Sequence, residues 1–170
     1  YTSASASLIA LQGTGSTTGL PENSTLIFTV LDGNSAPVAN EAVTFALNTT
    51  IGGITLSQYS AVSTATGEVT TNLQSGTVAT TVSVTATVDS DTSLKSTSDT
   101  IAISTGPADQ NSMSLSAEVL NPRAWNLDGT TVGITARLAD RYNNPIQDGT
   151  SVLFTTELGS IVSSCTTVDG

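Results

Sequence analysis

The chain contains one stretch of sequence twice, and this repeat limits what it can fold into. Each copy, residues 31–54 and residues 138–161, has an Asp-led turn, a proline followed by an aliphatic residue, an alternating strand with a phenylalanine, and a glycine turn. The paired positions are Asp32 with Asp140 (140−32 = 108), Pro37 with Pro145 (145−37 = 108) and Phe45 with Phe154 (154−45 = 109). An interval of this length corresponds to one small domain and not to a solenoid unit, so the 170 residues are predicted to hold two related domains.

The composition favours strands. Charged residues make up only 11% of the chain and aromatic residues 4%, while β-branched residues and turn formers are abundant. No stretch has the sustained spacing of apolar residues that a helix needs. We predict strands over residues 7–11, 24–31, 42–47, 54–56, 59–63, 68–73, 80–88 and 94–104, and then over residues 112–119, 131–138, 151–156 and 161–164. Short strands separated by regular turns are typical of an all-β immunoglobulin-like sandwich.

The two predicted domains differ in completeness. Domain 1 covers residues 1–105 and domain 2 covers residues 106–170, with the boundary at Thr105-Gly106-Pro107. Gly170 takes the place of Gly67 (170−67 = 103), and after Gly67 the first repeat still has three predicted strands. Domain 2 therefore lacks its C-terminal strands, which would leave strand edges unpaired. We expect disorder, a strand swap, self-association or completion by another chain, unless the sequence is simply cut at this point.

The charge and hydropathy of the chain exclude some partners. The net charge of −10, from 14 acidic and 4 basic residues, repels nucleic acid and anionic membrane surfaces. No run of 18 apolar residues is present, so this segment is not expected to insert into a membrane. The chain begins with Tyr1 and shows no signal peptide, which is expected of a piece of a longer protein.

The residue types also exclude most catalytic chemistry. The chain has no histidine, so a histidine base and Cys-His metal sites are ruled out, and no phosphate-binding glycine loop is present. Paired carboxylates for glycoside hydrolysis remain possible among 14 acids, but no stretch gathers them. We predict that the protein is not an enzyme.

Calcium is the metal that the sequence leaves open, since hard cations prefer carboxylate and carbonyl oxygens. The weak candidate ligands are Asp128, Asp140 and Asp148, and further loop acids are Asp89, Asp91 and Asp169. No EF-hand pattern is present, and turn formation is the commoner role of aspartate in loops. We therefore predict no required cofactor, with calcium as an alternative.

Three other residues are weak site candidates. Trp125 and Tyr142, with Arg123, could form a platform for a sugar or a protein, although packing inside the protein is the commoner role of such aromatics. Cys165 is the only cysteine. In an oxidising compartment it would form a disulfide with a partner outside the chain, and otherwise it is a lone thiol on a strand.

These motifs resemble the bacterial immunoglobulin-like domains of the Big_1 type found in tandem in invasin and intimin. The matching residues of the first repeat are Asp32, Pro37-Val38, Val43-Thr44-Phe45, Gly52-Gly53, Thr64 to Glu68 and Val82 to Ala86, and those of the second are Asp140, Asn143 to Ile146, Val152-Leu153-Phe154, Gly159 and Thr167 to Gly170. The resemblance covers nearly all of the first repeat. The sequence departs from the family pattern in the long crossing around Trp125 and in the one-residue shift of Phe154.

The resemblance implies a non-catalytic adhesion or spacer module of a secreted or surface-anchored bacterial protein. Its location would be extracellular, on a chain anchored in the outer membrane. Other domains of the full-length chain would bind the host or cell-surface receptor. The alternative is a carbohydrate- or calcium-binding module attached to an extracellular enzyme.

Overall fold

The computed structural model describes residues 1–123, Trp125 and residues 127–170, and its fold is the predicted all-β fold. The chain forms two compact units, Tyr1–Thr105 (unit 1) and Gly106–Gly170 (unit 2). None of the helices in these residues is long and apolar enough to cross a membrane.

Unit 1 is a sandwich of short strands. They are β1 (Ser3–Ala4), β2 (Leu8–Ala10), β3 (Asn23–Thr29), β4 (Ala42–Leu47), β5 (Thr55–Leu56), β6 (Ser60–Val62), β7 (Glu68–Gln74), β8 (Thr80–Val82), β9 (Val84–Val88), β10 (Lys95–Thr97) and β11 (Ile101–Ser104). One sheet has the order β1-β3-β7-β5, a second has the order β10-β9-β4-β6, and a smaller one has the order β2-β11-β8. The only helical turns described in unit 1 are α1 (Gly15–Thr18) and a 3-10 turn (Ile51–Gly53).

Alternation along the strands builds the core of unit 1. Leu26 and Phe28 of β3, and Val43 and Phe45 of β4, are all buried, while the residues between them are more exposed. The Phe28 and Phe45 ring centroids are 5.7 Å apart, so the two sheets meet through their aromatic residues. Phe45 therefore fills space between the two sheets.

The predicted single strand over residues 80–88 is wrong, because the chain breaks there into β8 and β9. Ser83 lies at the break: its N–H donates to Asn48 Oδ1 at 2.9 Å and its C=O accepts from the Asn48 N–H at 3.1 Å. β8 pairs with β11, whereas β9 pairs with β4 and β10. The alternating apolar residues run on through the break, which is why the sequence pattern does not reveal it.

Unit 2 contains fewer paired strands in its described residues. They are β12 (Met113–Ala117), β13 (Ile134–Leu138), β14 (Ser151–Leu153) and β15 (Ser164–Thr166), with a 3-10 turn at Gln110–Ser112. β12 pairs antiparallel with β13, and β14 pairs antiparallel with β15. Ile146 is the only apolar side chain of the described part of unit 2 that is buried.

Gly76 marks a place in unit 1 where two backbones are too close for a side chain. A Cβ atom at Gly76 would lie 2.3 Å from Gly52 O and 2.7 Å from Gly52 C, and backbone atoms cannot turn aside as a side chain can. We expect Gly76→Ala to lower the free energy of unfolding by about 1–3 kcal/mol. The control is Gly33→Ala, because nothing lies within 4 Å of that position. Urea titration followed by circular dichroism measures both, and equal effects would contradict the close approach.

Candidate functional site

The repeated turn of unit 1 is held by a single carboxylate. Asp32 Oδ1 accepts from the Asn34 N–H at 2.8 Å and from the Ala36 N–H at 2.9 Å. The Asp32 N–H donates to Ala36 O at 2.8 Å, and Ser35 has a positive φ of 64°. Asp32 itself is exposed. This aspartate organises a surface turn, as the motif predicts.

The counterpart turn of unit 2 makes more hydrogen bonds to its aspartate than the turn of unit 1 does. Asp140 Oδ1 accepts from the N–H groups of Tyr142 at 2.8 Å and Asn144 at 2.9 Å. Asp140 Oδ2 accepts from the Gly106 N–H at 3.0 Å and from Asn144 Nδ2 at 2.9 Å. Asp140 is fully buried. The same sequence motif therefore fixes a turn in unit 1 and, in unit 2, also fixes the residue with which that unit begins.

These contacts set the charge state of Asp140. Burial raises the pKa of the carboxyl group, but the hydrogen bonds from Asn144, Gly106 and Tyr142 outweigh burial and hold the pKa below its ordinary value. Asp140 is consequently ionised at neutral pH, with donors around both oxygens.

The glycine that follows each repeat packs on the proline of the turn. A Cβ atom at Gly67 would lie 2.6 Å from Val30 O and 3.0 Å from Pro37 Cβ. A Cβ atom at Gly170 would lie 3.2 Å from Leu138 O and 3.1 Å from Pro145 Cβ. The sequence spacing suggests that Gly67 and Gly170 are equivalent. In both units the glycine backbone lies close to a carbonyl oxygen at the end of a strand and to the proline of the turn, which leaves little room for a side chain.

A shared hydroxyl contact explains the one-residue shift of Phe154. Ser63 Oγ donates to Val38 O and accepts from the Glu41 N–H, while Thr167 Oγ1 donates to Gln147 O and accepts from the Thr150 N–H. Glu41 and Thr150 are 109 positions apart (150−41), which matches the interval from Phe45 to Phe154. One extra residue lies in the loop of unit 2, and Phe154 is the true counterpart of Phe45.

Unit 2 leaves strand edges without partners in its described residues. In unit 1, β3 pairs with both β1 and β7, and β4 pairs with both β6 and β9. Their counterparts, β13 and β14, each pair with one strand alone in the described part of the chain. A shallow groove of about 360 Å³ lies along β13 and is lined by Met113, Arg137, Leu138, Pro145 and Gly170, among others.

Large apolar side chains are exposed in unit 2. Ile134 is 43% exposed, whereas its counterpart Leu26 is fully buried (134−108 = 26). Other large apolar side chains of unit 2 that are exposed are Met113, Leu115, Val119, Leu120, Leu127, Leu153, Leu158, Ile161, Val162 and Val168. Met113, Leu115 and Ile134 lie on the paired strands β12 and β13, which makes the face of β12 and β13 that carries them the candidate interaction site.

The candidate calcium ligands are not gathered into a site. The described residues contain no group of three or more acidic, cysteine or histidine side chains that could hold a metal ion. Both oxygens of Asp140 accept from N–H donors, and Asp148 Oδ1 accepts from the Asp169 N–H at 2.7 Å. Asp128 is exposed in a turn. These bonds are turn contacts of the ordinary kind.

The other predicted site residues are on the surface. Trp125 is 97% exposed, so our expectation that it packs inside the protein does not hold. Tyr142 is partly buried, and the Arg141 guanidinium lies 4.7 Å from its ring centroid. Cys165 is an exposed free thiol on β15, paired in the ladder with Val152. A disulfide to a partner outside the chain stays a prediction.

One exposed residue of β13 is missing from the sequence-based candidates. Arg137 is exposed on β13, and its counterpart in unit 1 is Thr29 (137−108 = 29), which pairs with Glu68 of β7. The repeat interval of 108 already matches Arg137 with Thr29. That Thr29 lies opposite an acidic residue is known only from the pairing of β3 with β7.

The chain is similar to solved structures of bacterial surface proteins. InvD of Yersinia pseudotuberculosis superposes with a TM-score of 0.54 and 19% identity over 94% of this chain and 44% of that one. FdeC, described as an Escherichia coli adhesin, gives 0.53 and 15% over 88% and 44%. A C-terminal fragment of intimin, solved with the intimin-binding domain of the translocated intimin receptor, gives 0.51 and 14% over 82% and 45%.

These comparisons concern the fold. The chain spans less than half the length of each of these three structures. No family model matches the sequence, and no curated protein matches it. At this level of identity the likeness concerns the fold alone, and the chain has an immunoglobulin-like β-sandwich fold, like these three structures.

Proposed function

We propose that the chain is a non-catalytic spacer section of a bacterial surface adhesin. The observation that carries this proposal is the sandwich fold of unit 1, which is shared with a protein described as an adhesin and with an intimin fragment solved with a receptor domain. The chain would lie outside the cell, and other domains of the full-length protein would bind the receptor.

The repeated units support a spacer role. The last strand of unit 1 ends at Ser104, and the Gly106 N–H is already bonded to Asp140 within unit 2. Only Thr105 stands between these two points in the sequence. A row of units like unit 1 would resist stretching, because each is folded into a sandwich and little free chain separates it from the next.

We further propose that unit 2 is an incomplete copy of unit 1. Its four described strands correspond to β1, β3, β4 and β6, and the strands that cover β3 and β4 in unit 1 are β7 and β9. Counterparts of these strands would bury the apolar side chains that unit 2 exposes. They could come from further sequence, from a strand swap or from self-association.

A pulling experiment tests the spacer role. Under force applied to the two ends of the chain, we expect unit 1 to unfold in a single step. Its 105 residues at roughly 3.5 Å each predict an increase in contour length of about 350 Å. Gradual extension without a step would contradict a mechanical role.

The rival function is tested on the same chain. A glycan array and calcium titration by calorimetry are expected to show no specific binding. Because Trp125 is almost fully exposed, Trp125→Ala is the matched variant. Micromolar sugar binding that this variant loses would support a carbohydrate-binding module and contradict a pure spacer.

A further inference from the structure

One strand edge of unit 1 lacks the usual protection against pairing with another chain. The two larger sheets of unit 1 end in β1, β5, β6 and β10. β1 and β5 are very short strands, and β10 contains Lys95, so short length or charge protects these three edges. β6 (Ser60–Val62) contains neither a charged residue nor a proline. On the side away from β4, β6 has no partner strand among the described residues.

The pairing of β6 with β4 shows which backbone groups of β6 are turned outward. The Phe45 N–H donates to Tyr59 O at 2.8 Å, so Tyr59 and every second residue after it face β4. Alternate residues of an antiparallel strand turn their N–H and C=O groups to opposite sides, so Ser60 and Val62 face away from β4. We call the backbone groups of Ser60 and Val62 the β6 edge.

Side-chain hydrogen bonds hold β6 in place at both ends. Before the strand, Gln58 Nε2 donates to Thr70 O at 2.6 Å, and Gln58 O accepts from Thr71 Oγ1 at 2.8 Å. After the strand, Ser63 Oγ donates to Val38 O at 2.7 Å. The β6 edge is therefore already extended and fixed, and a strand that is ordered in advance loses little conformational entropy when it pairs.

The distribution of charge favours a second copy of this chain as the partner. Each chain has a net charge of −10, so two copies repel each other at long range. Residues 42–67, which include β4 and β6, are the longest run of the sequence without a charged residue. Two copies that meet through this run bring no like charges of these strands together, which makes it the least repulsive place for contact between copies.

We propose that unit 1 self-associates through the β6 edge, which pairs antiparallel with the β6 edge of a second copy across a two-fold axis. The register is centred on Ala61, because in this register both edge residues are paired: Ser60 of each copy lies opposite Val62 of the other. Each such pair exchanges an N–H···O bond in both directions. The β10-β9-β4-β6 sheets of the two copies would then form one continuous sheet.

Side-chain packing adds to these hydrogen bonds. Val62 is 59% exposed in the single chain, and in the paired edge it would pack beside Ser60 of the other copy on the same face of the sheet. Ala61 would face Ala61 of the other copy in a pair without hydrogen bonds, where Cα atoms are about 4.5 Å apart. The closest approach between the copies therefore involves only small side chains.

The contact is small, so we expect a weak dimer. A few backbone hydrogen bonds of ordinary strength correspond to a dissociation constant on the order of 1 mM. Copies anchored side by side on one surface would reach local concentrations of this order, so the weak contact would hold neighbouring spacers together. Only this setting rests on the proposed spacer role, because the pairing itself depends on the fold of unit 1 alone.

A disulfide trap tests the register on the 170-residue chain. All variants carry Cys165→Ser, so the introduced cysteine is the only one in the chain. Under oxidised glutathione we expect Ala61→Cys to form a disulfide-linked dimer, because a Cα separation of about 4.5 Å lies within the range of a disulfide. Thr97→Cys, on the exposed edge of β10, is the matched control and should remain monomeric. Equal yields of dimer from the two variants, or none from either, would overturn the proposal.

A proline substitution tests the hydrogen bonds. Val62→Pro removes an N–H that faces away from β4, so unit 1 keeps its own ladder while the β6 edge loses a donor. In reducing buffer at about 1 mM, we expect the parent chain to be about half dimeric by analytical ultracentrifugation and this variant to be monomeric.

Thr97→Pro is the matched control for this substitution. The Ser98 N–H donates to Val84 O, so the Thr97 N–H faces away from β9 in the same way that the Val62 N–H faces away from β4. Thr97→Pro should dimerise like the parent chain, and circular dichroism checks that both variants are folded. If Val62→Pro dimerises as the parent does, the contact belongs to another surface and the proposal is overturned.

Amide hydrogen exchange on the unmodified chain locates the contact. The N–H groups of Ser60 and Val62 should exchange about twofold more slowly at about 1 mM than at about 50 μM, because half of the chains are paired at the higher concentration. Lys95 and Thr97 of β10 should show no change. Unchanged exchange at Ser60 and Val62 would overturn the proposal. The single-step unfolding of unit 1 under force does not require a second copy, so failure here and failure of the spacer role are distinguishable.

Discussion

Phe45→Ala is expected to lower the free energy of unfolding of unit 1 by about 3–5 kcal/mol, the cost of emptying a buried aromatic site. Phe45 is 2% exposed, and its ring centroid is 5.7 Å from that of Phe28, which in turn packs edge-on to Tyr1. Removal of the ring would leave a cavity between two sheets and would also remove an aromatic pair. Urea or thermal unfolding followed by circular dichroism measures the loss.

The matched variant is Phe154→Ala, at the equivalent position of unit 2. Phe154 is only partly buried, whereas Phe45 is almost completely buried. We expect this change to cost about 1–2 kcal/mol, because a partly exposed ring loses less burial and leaves no enclosed cavity. Similar losses at the two positions would show that unit 2 has a complete core and would contradict its proposed incompleteness.

Asp140→Ala is expected to have the second largest effect, a local destabilisation of unit 2 by about 3 kcal/mol. The variant would leave the N–H groups of Gly106, Tyr142 and Asn144 without their charged acceptor, and hydrogen bonds to charged groups contribute about 1.5–3 kcal/mol each. Amide hydrogen exchange at Tyr142 and Asn144 measures the loss. Asp32→Ala is the control, and its effect should be smaller because Asp32 is exposed and accepts fewer bonds.

The stabilisation from Asp140 also depends on pH. The pKa of Asp140 in the folded protein is below that of an unfolded aspartate, which is about 3.9. The contribution is therefore fully present above this unfolded value and is lost as the pH falls through the folded pKa. Asp140→Asn removes the titrating group, so the exchange rates at Tyr142 and Asn144 should lose this acid dependence. An unchanged profile in this variant would contradict the assignment.

The sequence predicts local features of the fold better than features that depend on distant residues. Ala42–Leu47 has the predicted bounds, because strict alternation and flanking turns define it within the strand itself. The break at Ser83 depends on its hydrogen bonds to Asn48, 35 positions earlier, and the sequence around Ser83 contains no sign of it. Similarly, the motif identifies both Asp32 and Asp140, but it does not reveal that the Gly106 N–H, 34 positions earlier, bonds to the second one.

The candidate site shows the same limit. The interval of 108 locates the paired turns, yet a fixed interval places Leu153 against Phe45, whereas the hydroxyl contacts of Ser63 and Thr167 place Phe154 there. The neighbour of Thr29, the counterpart of Arg137, is Glu68 of β7, which is a long-range contact. Sequence periodicity identifies which residues face inward along a strand, while the identity of the neighbouring strand comes from the three-dimensional structure.

The parallel pairing of β2 with β11 has a mechanical consequence. Leu8, Ile9 and Ala10 lie beside Ala102, Ile103 and Ser104, so the second strand and the last strand of unit 1 run in the same direction. Tension applied at the two ends of unit 1 would pull these strands in opposite directions along their length. All of the hydrogen bonds between them would then carry the load together in shear, and none could open one at a time as in the peeling of a hairpin.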